Sequence, residues 1–217
     1  MSEERRYWNP EIEALTPDEL RALENTKLRE QLAYVEATSP FYRRKWAEHR
    51  VKVGTVRSVE DLAELPFTTK DELRQTQEQD GGLGGHQCAP REKVVRIQGT
   101  SGSTGRPLYV GLTAHDTDVW AELFARHAWV GGLRPGDSMV NPANFTLFVG
   151  GLSEAVSAER MGICVAPVPL VSAGVAKLLQ VIADLKPNIL FATPSTRRTT
   201  TPTTCSSPPR SRSGSRW

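Results

Sequence analysis

The sequence predicts an α/β fold, with an N-terminal helical segment followed by a partial parallel βαβ sheet. Three observations carry that expectation. Apolar residues recur at helical spacing through the first 79 residues, behind recognisable helix starts. From Val94 onward, short β-branched runs alternate with stretches long enough for helices, the pattern of parallel βαβ units. After Ser195 all periodicity stops.

In chain order, Thr16-Pro17-Asp18-Glu19 combines an N-cap, a proline at the first helical position and a glutamate three residues after the cap. Leu20, Leu23, Leu28, Leu32 and Val35 continue a helical stripe until Ser39-Pro40 breaks it. A shorter helix through Phe41, Tyr42 and Trp46 follows, and Ser58-Val59-Glu60-Asp61 and Thr69-Lys70-Asp71-Glu72 repeat the capping pattern. These helices read as scaffold that covers a core. Residues 80–90, with Gly81-Gly82-Leu83-Gly84-Gly85, read as a flexible connector; no strand leads into them, unlike a dinucleotide-binding glycine fingerprint. Val94-Val95-Arg96-Ile97 and Leu108-Tyr109-Val110 read as strands. A helix is then expected from about Asp116 to Val130, closed by Gly131-Gly132, and a strand at Met139-Val140. A helix from Gly151 to Arg160, a strand at Ile163 to Ala166, a helix from Ala173 to Leu185 and a strand at Ile189 to Phe191 complete the order. The expected organisation is a helical segment 1–79, an α/β domain 80–195 and a tail 196–217.

Composition excludes several classes. A chain of 217 residues with 38% hydrophobic content can bury the core of one ordinary domain. No apolar run approaches the roughly 18 residues of a membrane span, and the charged start Met1 to Arg6 lacks the apolar core of a secretory signal. Cys88, Cys164 and Cys205 are scattered and odd in number, which suits a reducing cytoplasm rather than a disulfide framework. His86 and Cys88 read as a loop histidine and an incidental thiol, so no metal site is assigned. The formal net charge of +2 comes from the tail, which holds five arginines and no acidic residue. Residues 1–195 carry 22 basic and 25 acidic side chains, a net −3, with no basic stripe. Neither nucleic acid nor a membrane is an expected partner.

The residues richest in chemical implication are Thr100, Ser101, Gly102, Ser103, Thr104, Gly105 and Arg106, followed by Pro107. They connect two predicted strands. Gly102 and Gly105 permit positive φ and close approach of a ligand, and successive N–H groups in such a turn converge on an anion. Four hydroxyls and one guanidinium add donors, so a polyphosphate suits the loop. Ser, Thr and Gly also suit a plain hairpin turn, and composition alone leaves both readings open. A Walker loop is excluded, because no glycine pair of the right spacing precedes Lys-Ser or Lys-Thr and Pro107 with its strand run opposes a following helix. After Met139-Val140, the loop from Asn141 to Phe148 lies beyond a predicted strand end, where open α/β sheets bind ligands. Ala143, Phe145 and Phe148 suit an apolar acyl or aryl pocket, and core packing explains the aromatics equally well.

The order Thr-Ser-Gly-Ser-Thr-Gly-Arg-Pro resembles the phosphate loop of the adenylate-forming superfamily, with Leu108 where many members carry lysine. That departure resembles the phenylacetate-CoA ligase branch. Tyr7-Trp8-Asn9-Pro10, Ser39-Pro40-Phe41-Tyr42, Leu65-Pro66-Phe67-Thr68-Thr69-Lys70, Arg134-Pro135-Gly136-Asp137, Ala158-Glu159-Arg160-Met161-Gly162 and Ala192-Thr193-Pro194-Ser195 follow the order of that branch. The resemblance covers residues 7 to about 195. It implies the large domain of an adenylate-forming enzyme, incomplete here, with Mg-ATP and coenzyme A as co-substrates and a small aryl or organic acid as substrate. It also implies that Thr100 to Arg106 hold the nucleotide phosphates and that Ala143, Phe145 and Phe148 face the acid.

The resemblance stops at Ser195, and the Thr-, Ser-, Arg- and Pro-rich residues 196–217 cannot bury enough apolar surface to order themselves. A frameshift with an early stop codon accounts for such a break. The family's later segments for adenine, ribose and the mobile-domain lysine are absent from these residues, so the 217-residue chain alone is expected to be inactive. The remaining readings are a non-catalytic nucleotide-binding fragment and an adenylate former with an acceptor other than coenzyme A.

Overall fold

The structure, a computed structural model, describes residues 5–100, 105–193 and 196. A short helix α1 (Pro10–Glu13) precedes the long α2 (Pro17–Thr38). Thr16 caps α2 as its sequence dictates: the hydroxyl accepts from the Glu19 amide, and the Glu19 carboxylate accepts from the Thr16 N–H at 2.8 Å. Ser39 ends α2 and caps α3 (Pro40–Glu48), accepting from the Tyr42 amide. Leu32 of α2, Trp46 of α3, Val53 and Val56 form a buried cluster, whereas Leu20, expected in the same stripe, is exposed. The cap at Ser58 opens a 3-10 helix, Val59–Glu64, instead of an α-helix. Pro66 follows at once and disfavours a helical Leu65. The box at Thr69 starts a true α-helix, α4 (Lys70–Asp80).

The glycine-rich segment after α4 is folded against it rather than being a loose connector. The Gly85 carbonyl accepts from the Phe41 amide at 3.2 Å and from the Ser39 hydroxyl at 3.0 Å. Gly84 has φ +77°, and a methyl there would lie 2.6 Å from Thr76 Oγ1 and 2.9 Å from the Gln77 backbone nitrogen. Only glycine allows this approach.

Strands β1 (Val94–Gly99) and β2 (Tyr109–Thr113) form an antiparallel hairpin separate from the parallel sheet. Helix α5 (Ala114–Val130) starts two residues earlier than expected because Thr113, not a later residue, is its cap. Strand β3 (Ser138–Asn141), helix α6 (Leu152–Arg160), strand β4 (Cys164–Pro167), helix α7 (Leu170–Leu185) and strand β5 (Ile189–Leu190) follow. Helix α7 begins at Leu170, ahead of the expected Ala173, and is kinked at Gly174, where φ is +75°. The parallel sheet has the order β4-β3-β5. Met139 joins Phe124, Ala128, Ala158 and Ile163 in one buried cluster, and Val140 joins Leu178 and Val168 in another. Successive side chains of a strand point to opposite faces, so β3 is sandwiched between α5 and α6 on one side and α7 on the other.

Candidate functional site

Two loops leave neighbouring strand ends, one from the hairpin and one from the parallel sheet. The first lies between β1 and β2. Thr100 extends the ladder: its N–H donates to the Leu108 carbonyl at 3.0 Å, and its hydroxyl accepts from the Leu108 N–H at 3.1 Å. Accepting leaves the hydroxyl proton available for donation. Ser101, Gly102, Ser103 and Thr104 lie outside the described residues. Gly105 has φ +127° with open space at its Cβ position, and Arg106 is exposed. Gly105, Arg106 and Pro107 face Arg74, Gln77 and Glu78 of α4 across an open cleft of about 320 Å³.

Side chains from outside the hairpin complete its edges. Along β2, Gln77 Oε1 accepts from the Tyr109 N–H at 2.8 Å while Gln77 Nε2 donates to the Pro107 carbonyl at 3.1 Å. Gln87 repeats the pattern at Gly111, accepting at 3.1 Å and donating at 3.3 Å. These two carboxamides stand in for a neighbouring strand and blunt an edge that would otherwise expose unpaired amides. Beneath the hairpin, buried Gln98 donates to the buried hydroxyl of Ser153 on α6 at 2.7 Å, and Arg96 donates to the same oxygen at 3.3 Å.

The second loop, residues 142–151, leaves the carboxyl end of β3. Fully buried Asn141 organises it: its Nδ2 donates to the Gly151 carbonyl at 3.1 Å, and its Oδ1 accepts from the Ala143 N–H at 3.0 Å. Gly151 has φ +100°, and a methyl there would come within 2.5 Å of the Asn144 carbonyl oxygen. Ala143 is half-buried, whereas Phe145 and Phe148 are 38% and 58% exposed. Their rings lie over the backbone at Gly151 and Gly150 respectively, so neither belongs to the buried core. The Gly99 N–H, one residue before Thr100, donates to the Leu147 carbonyl at 2.7 Å. That bond places the aromatic loop beside the stem of the hydroxyl-rich loop.

Sequence reading missed Gln77, Gln87 and Ser153, which carry no local signal. Asn141 did have one, since asparagine before proline at a strand end favours an Asx turn. His86 is part of the scaffold: its Nδ1 lies 2.8 Å from Thr76 Oγ1, and burial holds its pKa below the ordinary value against the opposing effect of the Tyr109 backbone. Among the described residues no group of three or more His, Cys, Asp or Glu side chains is placed to hold a metal ion. No described helix is long and apolar enough to cross a membrane.

No protein-family model matches the chain. Among curated proteins, the phenylacetate-coenzyme A ligase of Thermus thermophilus is 39% identical over 193 residues, which cover 88% of this chain and 42% of that enzyme. The ligases of the same name from Aromatoleum evansii and Escherichia coli are 38% and 36% identical over 184 residues, each match covering 85% of this chain and 40% of the relative. Among solved structures, 2-hydroxyisobutyryl-CoA ligase in an open conformation with 2-HIB-AMP and CoA superposes with a TM-score of 0.83 at 31% identity. That match covers 89% of this chain and 42% of the other. The same ligase in its thioesterification state also gives 0.83, at 33% identity, over 88% of this chain and 40% of the other. The chain is therefore a homologue of the phenylacetate-coenzyme A ligases and carries part of the adenylate-forming ligase fold, spanning about 40% of the length of its relatives.

Proposed function

We propose that these residues form the N-terminal portion of an ATP-dependent, AMP-forming aryl- or acyl-CoA ligase. The observation that carries this reading is the 36–39% identity to phenylacetate-coenzyme A ligases over most of the chain; the Gly99–Leu147 hydrogen bond of 2.7 Å, which sets the aromatic loop beside the residue preceding Thr100, supports it. In this proposal Thr100 to Arg106 grip the β- and γ-phosphates through backbone N–H groups, hydroxyls and the Arg106 guanidinium. Ala143, Phe145 and Phe148 flank a small aryl or organic acid on the neighbouring loop. A carboxylate oxygen of the acid attacks the α-phosphorus, the bond to the bridging oxygen breaks, and pyrophosphate leaves. The thiol of coenzyme A then attacks the acyl carbon, gives up its proton and displaces AMP. Proximity and fixed donors supply the acceleration. In this proposal Mg²⁺ enters with the nucleotide as part of the substrate.

The proposal divides the chain into a helical segment 1–79, the partial nucleotide-binding domain 80–195 and an out-of-frame tail 196–217. It further holds that residues 1–217 alone bind nucleotide without turnover, a proposal in line with their spanning about 40% of the length of the ligases they match. A pyrophosphate-release assay with Mg-ATP and a panel of aryl and small organic acids tests this. The expected signal equals that of a Ser101→Ala, Gly102→Ala, Thr104→Ala control, and acid-dependent release above the control contradicts it. Sequencing the gene through codon 196 tests the tail: a continuing ligase sequence in another frame is expected, and its absence from all frames contradicts the frameshift.

A further inference from the structure

We propose that Gln77 is a positioning residue for the phosphate loop, latching the strand that leaves the loop onto helix α4. The inference rests on the nucleotide-binding reading of residues 100–106. The Gln77 carboxamide makes two hydrogen bonds, accepting from the Tyr109 N–H at 2.8 Å and donating to the Pro107 carbonyl at 3.1 Å. Both partners lie within three residues of Arg106, and Gln77, Gly105 and Arg106 line the same cleft. On the other side of the loop, Thr100 is tied to Leu108 by two bonds of its own. The strand leaving the loop is thus held from both edges, by Thr100 inside the hairpin and by Gln77 outside it.

Helix α4 is a firm anchor. Thr69 and Glu72 cap it reciprocally, the buried Lys45 ammonium of α3 pairs with Glu72, and Gly84 packs against the backbone at Gln77. An anion-binding turn works only if its N–H groups stay aimed at one point, and rigid neighbours supply that aim.

Gln87 provides an internal control, because its carboxamide makes the same pair of bonds to the same strand at Gly111, farther from the loop. Gln77→Met and Gln87→Met preserve approximate side-chain volume and remove the hydrogen bonds. Calorimetric titration with Mg-ATP and amide hydrogen exchange are measured on the full 217-residue chain. Gln77→Met is expected to weaken ATP binding about tenfold and to speed exchange over residues 105–110, while Gln87→Met leaves ATP affinity within about twofold. Equal weakening in both variants reduces Gln77 to a structural role and overturns the proposal. Unchanged ATP affinity in Gln77→Met, or unchanged exchange over 105–110, overturns it as well. If the wild-type chain is folded but binds no ATP, the nucleotide reading itself fails and takes the role of Gln77 with it. Exchange then reports separately whether the latch exists.

Discussion

At the scale of single residues, buried polar groups decide the shape of the site. Asn141 is fully buried and satisfies both the Gly151 carbonyl and the Ala143 amide. Asn141→Ala strands both partners and should cost about 1–3 kcal/mol, measured by urea unfolding; a change below a few tenths would show that the loop is held elsewhere. Groups with lowered pKa values, Glu72 and His86 among them, give the molecule an acid-side stability limit. Glu72 is held down to about 2, first by the hydrogen bond from Lys45 and then by the Thr69 amide. A lowered carboxylate pKa contributes stability that is complete above the ordinary value of 4.5 and is lost as pH falls towards 2. His86 acts in the same direction, since burial lowers its pKa and favours the neutral ring. Its contribution is complete above the ordinary value of 6.5 and drains away as pH falls below it. Thermal unfolding midpoints should therefore decline on acidification in two stages. Glu72→Gln should reduce the lower stage, which it shares with the lowered carboxylates Glu19, Glu60 and Asp61, and His86→Gln should flatten the upper one; a wild-type midpoint independent of pH would contradict both.

At the scale of elements, the folded connector after α4 determines how the hairpin is held. Gly84→Ala would meet Thr76 and the Gln77 backbone while occupying a φ of +77°. A destabilisation of about 1–3 kcal/mol is expected, accompanied by faster amide exchange at Tyr109 and Gly111. Retention of wild-type stability would mean that the connector yields freely. Most elements were legible in the sequence because their causes are local. Thr16 and Thr69 announce helices through a hydroxyl and a carboxylate three residues apart, and β3 shows itself by two apolar residues serving opposite faces. Ser58 carries the same box and yields only a 3-10 turn, since a cap specifies a start and not a length. The hairpin reading of the loop already offered antiparallel pairing of β1 and β2, but their separation from the parallel sheet was not legible, because strand propensity names no partner. Gln77 and Gln87 were invisible for the same reason: their bonds join residues 24 to 32 positions apart. Gln77 and Gln87 hold described backbone on β2 and just ahead of it, whereas most of the hydroxyl-rich loop itself lies outside the described residues.

At the scale of the whole molecule, the helical cluster, the hairpin and the three-stranded sheet leave large apolar side chains in water. Phe67, Val171 and Val130 are 95%, 85% and 83% exposed, and β4 and β5 both lie at sheet edges among the described residues. Open sheet edges of this kind favour association. Light scattering during size-exclusion chromatography should show mass rising with concentration, and a single monomeric species throughout would contradict that expectation. The same architecture sets the loop after β3 beside Gly99 at the end of β1, and the proposal that the chain is a nucleotide-activating ligase portion rests on its similarity to CoA ligases. The measurement that bears most directly on this claim is calorimetric titration of the 217-residue chain with Mg-ATP, beside the Ser101→Ala, Gly102→Ala, Thr104→Ala variant. One saturable site in the wild type, weakened at least about tenfold in a variant of unchanged thermal stability, is the predicted result. A folded wild type that does not bind, or a variant that binds equally well, would contradict it.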